Sequence, residues 1–200
     1  VMVTNKTQKN QIFLAVFVVI FLLFLGVFLG RWSSNFTLSG IKVSGREPIK
    51  SLLFKNEQEG YQFTYPSSWL KVKPEALARL GTEVTGALVH KSPQALLTVR
   101  VTKVSKGASL DSLPEQLDKK MASRFSNFQK ENHQFVTVGK EKALRYTYSF
   151  NSKGDTRVKQ SQLILVKGDK AFYLLLHANA ADFDRLQPEW QQIADSFTLR

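Results

Sequence analysis

The hydrophobic positions divide the chain into an apolar opening segment and a longer region in which apolar and polar residues alternate. Residues 12–29 read IFLAVFVVIFLLFLGVFL, with no charged or polar side chain. A helix of this length, at about 1.5 Å per residue, is about 27 Å long and close to the ~30 Å hydrocarbon core of a bilayer. We therefore predict a transmembrane helix over residues 12–30, after a short tail at 1–11. The alternative is a cleaved secretory signal, whose apolar region is typically shorter, about 7–15 residues.

The predicted membrane helix has two unlike faces when its residues are placed at about 100° each. We expect the smoother face to pack against neighbouring helices, because Gly26 and Gly30 form a G-x-x-x-G spacing. That face consists of Ala15, Val19, Leu22, Gly26 and Gly30. The opposite stripe is aromatic and is predicted to face lipid or a flat pigment; it consists of Phe13, Phe17, Phe21, Phe24 and Phe28. The simpler alternative is that Phe and Gly are common in membrane helices without any such role.

Residues 31–53 mix Ser, Gly and Pro with isolated apolar residues, a composition typical of a linker, with one short strand predicted at 41–43. From residue 54 the pattern is that of a folded domain extending to 200. Period-two alternation and turn residues predict strands. They lie at 61–65, 87–90, 95–104, 135–138, 144–150 and 160–166. Residues 171–178, AFYLLLHA, are apolar at alternate and intervening positions, which predicts a central strand covered on both faces.

Two helices are predicted in this domain. Ser112-Leu113-Pro114-Glu115 matches a capping box with an early proline, so a helix should run from there to about Phe128. The second carries one apolar stripe with steps of three and four, and Pro188 marks either a kink in it or its true start. The stripe consists of Phe183, Leu186, Trp190, Ile193 and Phe197. The predicted fold class is therefore α+β: an antiparallel sheet of about six strands flanked by helices and preceded by one transmembrane helix.

Composition and charge limit the kinds of functional site and partner that the chain can have. The chain has no cysteine, which excludes disulfides, thiolate metal sites and cysteine nucleophiles. Its net charge of +12 is consistent with docking onto anionic lipid headgroups or acidic protein loops. Aromatic residues do not interleave with the basic clusters as in a base-stacking surface, so nucleic acid is not expected as a partner. A solvated helix face is the alternative interpretation of the basic residues. The predicted docking surface is Lys119, Lys120 and Arg124.

No motif indicates catalysis or metal binding. His90, His133 and His177 are far apart in sequence and lack the spacing of metal ligands. His177 shares a strand face with apolar residues and is predicted to be a hydrogen-bonded core histidine. The chain contains no G-x-S-x-G turn and no phosphate-binding glycine loop. We therefore expect no enzyme activity, no bound metal and no cofactor. Trp69 is expected to be buried beneath the sheet edge, with a binding hot spot as the alternative.

The order of these elements resembles the PsbP family and the wider Mog1/PsbP-like fold. The resemblance covers about residues 54–200. It rests on the segment Gly60-Tyr61-Gln62-Phe63-Thr64-Tyr65-Pro66 with Trp69, the strand at 97–101, the two late hairpins over 142–178 and the closing Asp195-Ser196-Phe197. It implies an extrinsic subunit or assembly factor on the lumenal side of a photosystem, and related domains occur in bacterial envelope proteins. Cyanobacterial members of the family are attached through a lipid-modified cysteine, whose place the predicted helix would take here.

The resulting expectation is a non-catalytic, single-pass accessory or assembly subunit of a photosynthetic membrane complex. Its partners would be photosystem subunits and membrane lipids. Its location would be the thylakoid or bacterial inner membrane, with the folded domain in the lumen or periplasm. The positive residues on the two sides of the apolar segment do not decide this orientation, which follows from the resemblance. The alternative function is an exported envelope binding module acting in transport or secretion.

Overall fold

The structure is a computed structural model that describes residues 50–152 and 155–200. The predicted tail, the membrane helix with the ten residues of its two faces, and the strand at 41–43 all lie outside the described residues. Among the residues that the structure describes, no helix is both long and apolar enough to cross a bilayer.

The described chain has an α+β fold with antiparallel sheets and few helices. Its strands are β1 (Ser51–Asn56), β2 (Tyr61–Pro66), β3 (Trp69–Lys71), β4 (Val84–His90), β5 (Ala95–Lys103), β6 (Ser126–Val138), β7 (Glu141–Asn151), β8 (Arg157–Lys167), β9 (Lys170–Asn179) and β10 (Thr198–Leu199). Its helices are α1 (Pro74–Leu77), α2 (Leu113–Arg124) and α3 (Ala180–Asp195).

The strands form two antiparallel sheets. The large sheet has seven strands in the order β3-β4-β5-β9-β8-β7-β6, and the small sheet has three in the order β1-β2-β10. The expected single sheet of about six strands was therefore wrong. It omitted β3 and β10, which contain too few residues to show an alternation, and β1, whose apolar residues at 52–54 are consecutive and do not alternate. β1 also begins at Ser51, inside the segment assigned to the linker.

Two layers cover the large sheet, one on each face. On the front face, α3 and the small sheet pack against alternate residues of the central strands; this core includes Phe63, Leu97, Leu174, Leu186 and Trp190. On the back face, α2 packs against the intervening residues; this core includes Leu117, Met121, Tyr146, Tyr148 and Leu175. The fourth strand in the order, β9, is therefore buried from both sides, and its burial confirms the prediction made for residues 171–178.

The small sheet lies against the large one at a glycine. Phe54, Tyr61 and Phe63 form a stack of nearly parallel rings, with centroids 4.8 Å apart for Phe54 and Phe63. This stack lies over Gly86 of β4. A Cβ atom there would be 2.6 Å from Tyr61 Oη and 2.7 Å from Phe54 Cζ. The close approach of the two sheets therefore depends on the absence of a side chain at this position.

The first long helix, α2, begins where it was predicted but is capped differently. Ser112 is its N-cap residue, yet the Ser112 side chain makes no capping bond to the backbone. Its Oγ instead accepts a hydrogen bond from Gln116 Nε2 at 2.9 Å. The helix ends at Arg124 rather than near Phe128, because Phe125 adopts an extended backbone and stacks on Phe150 with centroids 4.0 Å apart.

The last helix, α3, confirms the predicted apolar stripe except for Phe197, which is buried but lies beyond the end of the helix at Asp195. Phe183, Leu186, Trp190 and Ile193 are all buried against the front face. The helix begins at Ala180, so Pro188 lies inside it and is not its start. Pro188 is exposed, and the missing backbone donor therefore faces the solvent side of the helix.

Candidate functional site

The three basic residues predicted to form a docking surface lie on α2 but differ in exposure. Lys119 is exposed, whereas Lys120 and Arg124 are half-buried against the back face. Partial burial disfavours a charged group, so it lowers the pKa of both Lys120 and Arg124. The structure thus places all three on one helix, with only Lys119 fully available to solvent.

A second group of basic residues in the sequence, Arg100, Lys103 and Lys106, lies only partly on the surface. Arg100, which precedes Lys103 and Lys106, is only 3% exposed and lies on the back face of β5. Desolvation lowers the pKa of its guanidinium, and the nearby charge of Glu83 opposes this effect. The positive charge of Arg100 is therefore directed into the fold, and only its two neighbours in sequence can contribute to a surface field.

Asp118 joins α2 to two strands of the large sheet. Its Oδ1 accepts a hydrogen bond from Tyr146 Oη of β7 at 2.5 Å, and its Oδ2 accepts one from Lys130 Nζ of β6 at 2.5 Å. Burial and the adjacent carboxylate both raise the pKa of Tyr146, so the phenol stays protonated and remains a donor. The helix therefore holds the outer two strands, β6 and β7, in place.

A chain of polar groups crosses the back face beside α2. Tyr148 Oη donates to Gln160 Oε1, and Gln160 Nε2 donates to His177 Nδ1 at 2.7 Å. Desolvation lowers the pKa of His177 to about 4, so the ring is neutral near pH 7. The prediction of a hydrogen-bonded histidine is confirmed. The neighbouring Gln162 side chain is fully buried, and neither of its polar atoms has a hydrogen-bond partner among the described residues, which is the usual environment of an ordered internal water.

Trp69 is buried at the edge of the large sheet, as predicted. Its side chain is 1% exposed and its Nε1 donates to Glu189 Oε2 of α3 at 2.5 Å. The same carboxylate oxygen accepts a hydrogen bond from Ser68 Oγ at 3.0 Å, and His90 Nε2 lies 3.8 Å from it. His90 Nδ1 donates to the Pro93 carbonyl at 2.7 Å. The cluster ties α3 to β3 and β4, which is a structural role.

These polar groups do not form a metal site or a catalytic arrangement of known type. Within residues 50–152 and 155–200, no group of three or more His or acidic side chains is placed to hold a metal ion. Ser68 hydrogen-bonds to the carboxylate of Glu189 and not to a histidine, so it lacks the adjacent base that activates a serine nucleophile.

The most open feature of the described domain is strand β6. It has 13 residues, of which ten are exposed, and among the described strands it pairs only with β7. Register shifts interrupt the pairing between Ser126 and Gln129 and between Lys130 and Asn132. From Asn132 to Val138 the register is unbroken. The outward backbone groups of these seven residues are therefore presented along one regular edge, which we call the β6 edge.

The sequence indicated only the last part of this strand, at 135–138. The preceding residues, SNFQKENHQ, are almost entirely polar and include few β-branched side chains, so no two-residue alternation is visible. The strand exists because β7 provides a long partner ladder from Glu141 to Asn151.

Comparisons with known proteins identify the family of the domain. A family model described as PsbP matches residues 51–199. No curated protein matches the chain at a significant level.

Several solved structures share the fold. The solution structure of cyanobacterial PsbP (CyanoP) from Synechocystis sp. PCC 6803 is 14% identical, with a TM-score of 0.57, and the match covers 80% of this chain and 98% of that one. LpqN, involved in cell envelope biogenesis of Mycobacterium tuberculosis, is 13% identical, with a TM-score of 0.56 and coverage of 77% and 86%. The Saccharomyces cerevisiae Ran-binding protein Mog1p is 8% identical, with a TM-score of 0.51 and coverage of 76% and 96%. At these identities the similarity is one of fold.

Proposed function

Because the chain belongs to the PsbP family, we propose that it is a non-catalytic accessory or assembly protein of a photosynthetic membrane complex. In this proposal the folded domain docks on photosystem subunits at the lumenal or periplasmic side of a thylakoid or bacterial inner membrane. Residues 12–30 act as its transmembrane anchor and contact membrane lipids. The family match over residues 51–199 is the observation that carries the proposal.

The described surfaces are consistent with docking. The domain has an excess of basic side chains, and several of them, including exposed Lys119, Lys103 and Lys140, have no acidic partner among the described residues. Such charges attract acidic loops or headgroups and raise the rate of encounter with them. Nothing in the described geometry requires the domain to transform a small molecule, and we propose that it does not.

The proposal is tested by copurification. The tagged chain would be expressed in its source cells, and their membranes would be solubilised in mild detergent. Recovery of a photosystem or another photosynthetic complex with the chain is the expected result. Recovery of envelope transport or secretion components, with no photosynthetic complex, would contradict it. The same membranes washed at high pH, which releases peripheral proteins, would show whether residues 12–30 anchor the chain.

The role of the basic residues on α2 is tested by charge reversal. A triple variant, Lys119→Glu, Lys120→Glu and Arg124→Glu, should weaken copurification and reduce its dependence on salt. A matched triple variant at exposed basic residues around β3, α1 and β4, Lys73→Glu, Arg79→Glu and Lys91→Glu, carries the same change in net charge. Thermal melts would confirm that both variants fold. Equal effects of the two triple variants would show that only net charge matters and would remove α2 from the docking surface.

A second candidate function is favoured by one observation. LpqN, described as involved in cell envelope biogenesis, matches this fold almost as well as the cyanobacterial protein does, with TM-scores of 0.56 and 0.57. An exported bacterial envelope binding module is therefore the alternative. A source organism without photosynthesis would decide in its favour.

A further inference from the structure

We propose that the β6 edge, residues 132–138, binds an acidic, extended segment of a partner protein as an additional strand of the large sheet. This inference rests on the proposed function, since it assigns the docking of the domain to a particular surface and a particular binding mode. The segment would continue the sheet beyond β6 through main-chain hydrogen bonds. Its acidic side chains would meet Lys140, which follows the end of that edge.

The two edges of the large sheet differ in length and in exposure. One edge is β3, which has only three residues and is tied to α3 through the Trp69–Glu189 hydrogen bond. The other is β6, which is long and mostly exposed. Exposed long edges are a liability in monomeric proteins, which usually shorten them, cover them or interrupt them. The large sheet protects one of its edges in this way and leaves much of the other available.

The pairing of β6 with β7 is interrupted only in the first half of β6, and such interruptions discourage the addition of another strand. The two register shifts and the charged pair Lys130–Glu131 lie in its first part, which bulges and twists away from a flat edge. From Asn132 onward the register with β7 is regular, and residues 132–138 include no Lys, Arg, Asp or Glu. In an antiparallel ladder, alternate residues direct their N–H and C=O groups outward. This second half therefore offers a usable row of donors and acceptors.

The side chains beside this regular segment include more basic than acidic groups. Between residues 126 and 145 the chain carries four basic and two acidic side chains. Both acidic residues are already paired, Glu131 with Lys159 and Glu141 with Lys167. Lys140 is exposed and has no acidic partner among the described residues. Three of the basic residues are paired as well, Lys130 with Asp118, Lys142 with Asp111 and Arg145 with Asp195. Among the described residues, this stretch therefore offers one unpaired positive charge, on Lys140, and no unpaired carboxylate, which favours an acidic strand.

Phe135 supplies an apolar contact within the β6 edge. Its side chain is 43% exposed, and Lys142 Nζ lies 4.4 Å from the centroid of its ring. Lys142 Nζ also binds Asp111 Oδ1 at 2.5 Å, so a partner strand that alternates acidic and β-branched residues would place its apolar face on Phe135 and direct a carboxylate toward Lys140. A second copy of this chain is a poorer occupant, because Glu131 and Glu141 beside its own β6 edge are already paired and would bring no free carboxylate to Lys140.

The direct test uses the full-length chain in a neutral detergent and two synthetic peptides. One alternates Glu and Val over ten residues, and the other alternates Lys and Val. The Glu-Val peptide should bind with an affinity that falls as salt rises, and alternate backbone amides between 132 and 138 should become protected from hydrogen exchange. Equal binding of the Lys-Val peptide, or protection elsewhere in the domain, would overturn the proposal. Self-association of the chain through β6 in the absence of peptide would also overturn it.

Two neighbouring proline variants make the test internally controlled. His133→Pro and Gln134→Pro each remove one backbone donor, and in an antiparallel strand one of the two faces β7 while the other faces outward. Thermal melts identify the outward position as the variant with the smaller loss of stability. That variant should bind the Glu-Val peptide about tenfold more weakly or worse. Unchanged binding by it would refute strand addition.

A charge variant tests binding at the same surface if both proline variants unfold. Lys140→Glu should weaken the Glu-Val peptide and strengthen the Lys-Val peptide, whereas Lys91→Glu, at another exposed lysine, should change neither. The outcome also separates this inference from the proposed function. Capture of a photosynthetic complex that is insensitive to these β6 variants would refute the β6 edge alone, and peptide binding at β6 without such capture would refute only the photosynthetic role.

Discussion

Substitution of Gly86 by alanine tests how the small sheet is joined to the large one. The added Cβ would lie 2.6 Å from Tyr61 Oη and 2.7 Å from Phe54 Cζ, well inside van der Waals contact. Both rings are buried, at 0% and 3% exposure, so neither can move into solvent without losing core contacts. The rings must shift together because they are stacked. Overpacking of this kind typically costs about 1–3 kcal/mol.

The free energy of unfolding would be measured by urea denaturation of the full-length chain, followed by tryptophan fluorescence. Trp69 and Trp190 are fully buried and should report loss of the fold. For a chain of this size, each kcal/mol corresponds to a fall in Tm of about 2–4 °C. The control is a double-mutant cycle with Tyr61→Phe, which removes the atom nearest to the new Cβ and also the bond to Thr85. Gly86→Ala should cost less in that background, by about 0.5 kcal/mol or more. Unchanged stability of Gly86→Ala, or equal costs in both backgrounds, would refute this account of the junction.

Three further predictions concern the polar clusters. The folded chain holds the pKa of His177 near 4, below its ordinary 6.5, so the unfolded chain binds this proton more readily. Stability should therefore fall by up to about 3 kcal/mol as pH drops from about 6.5 to 4, and His177→Gln should remove that part of the pH dependence in urea titrations. Trp69→Phe should cost about 1–3 kcal/mol because it removes the donor to Glu189, whereas Glu189→Gln, which keeps an acceptor oxygen, should cost less in the same assay. Asp118→Ala should speed amide exchange in β6 more than in β9, since it releases Lys130 and Tyr146 from α2, and uniform exchange rates would contradict this link.

Two elements were predicted well from the sequence, α3 and β9, because the burial of their residues follows a simple pattern along the chain. The stripe of α3 repeats every three to four residues because one side of the helix meets the front face. The apolar run of β9 is continuous because that strand is covered on both sides. In both elements the environment of each residue is set by the element itself, so the pattern is visible without knowledge of the partner.

The elements that were missed depend on partners distant in sequence. β10 has two residues and exists because it pairs with β2, more than a hundred residues earlier in the chain. The first part of β6 is polar and is held by β7 and by the Lys130–Asp118 contact. Local sequence does not carry these contacts, and the β6 edge could not be identified without them.

The position of β1 determines how tension in the polypeptide would reach the domain. The chain that precedes Lys50 enters through β1, whose six residue pairs with β2 belong to the small sheet. On the other side of β2 lies β10, at the opposite terminus. A pull on the chain ahead of Lys50 would thus be resisted first by this three-stranded unit and its ring contacts. The β6 edge belongs to the other sheet, so such a force would reach a strand bound there only indirectly, for example through the junction at Gly86.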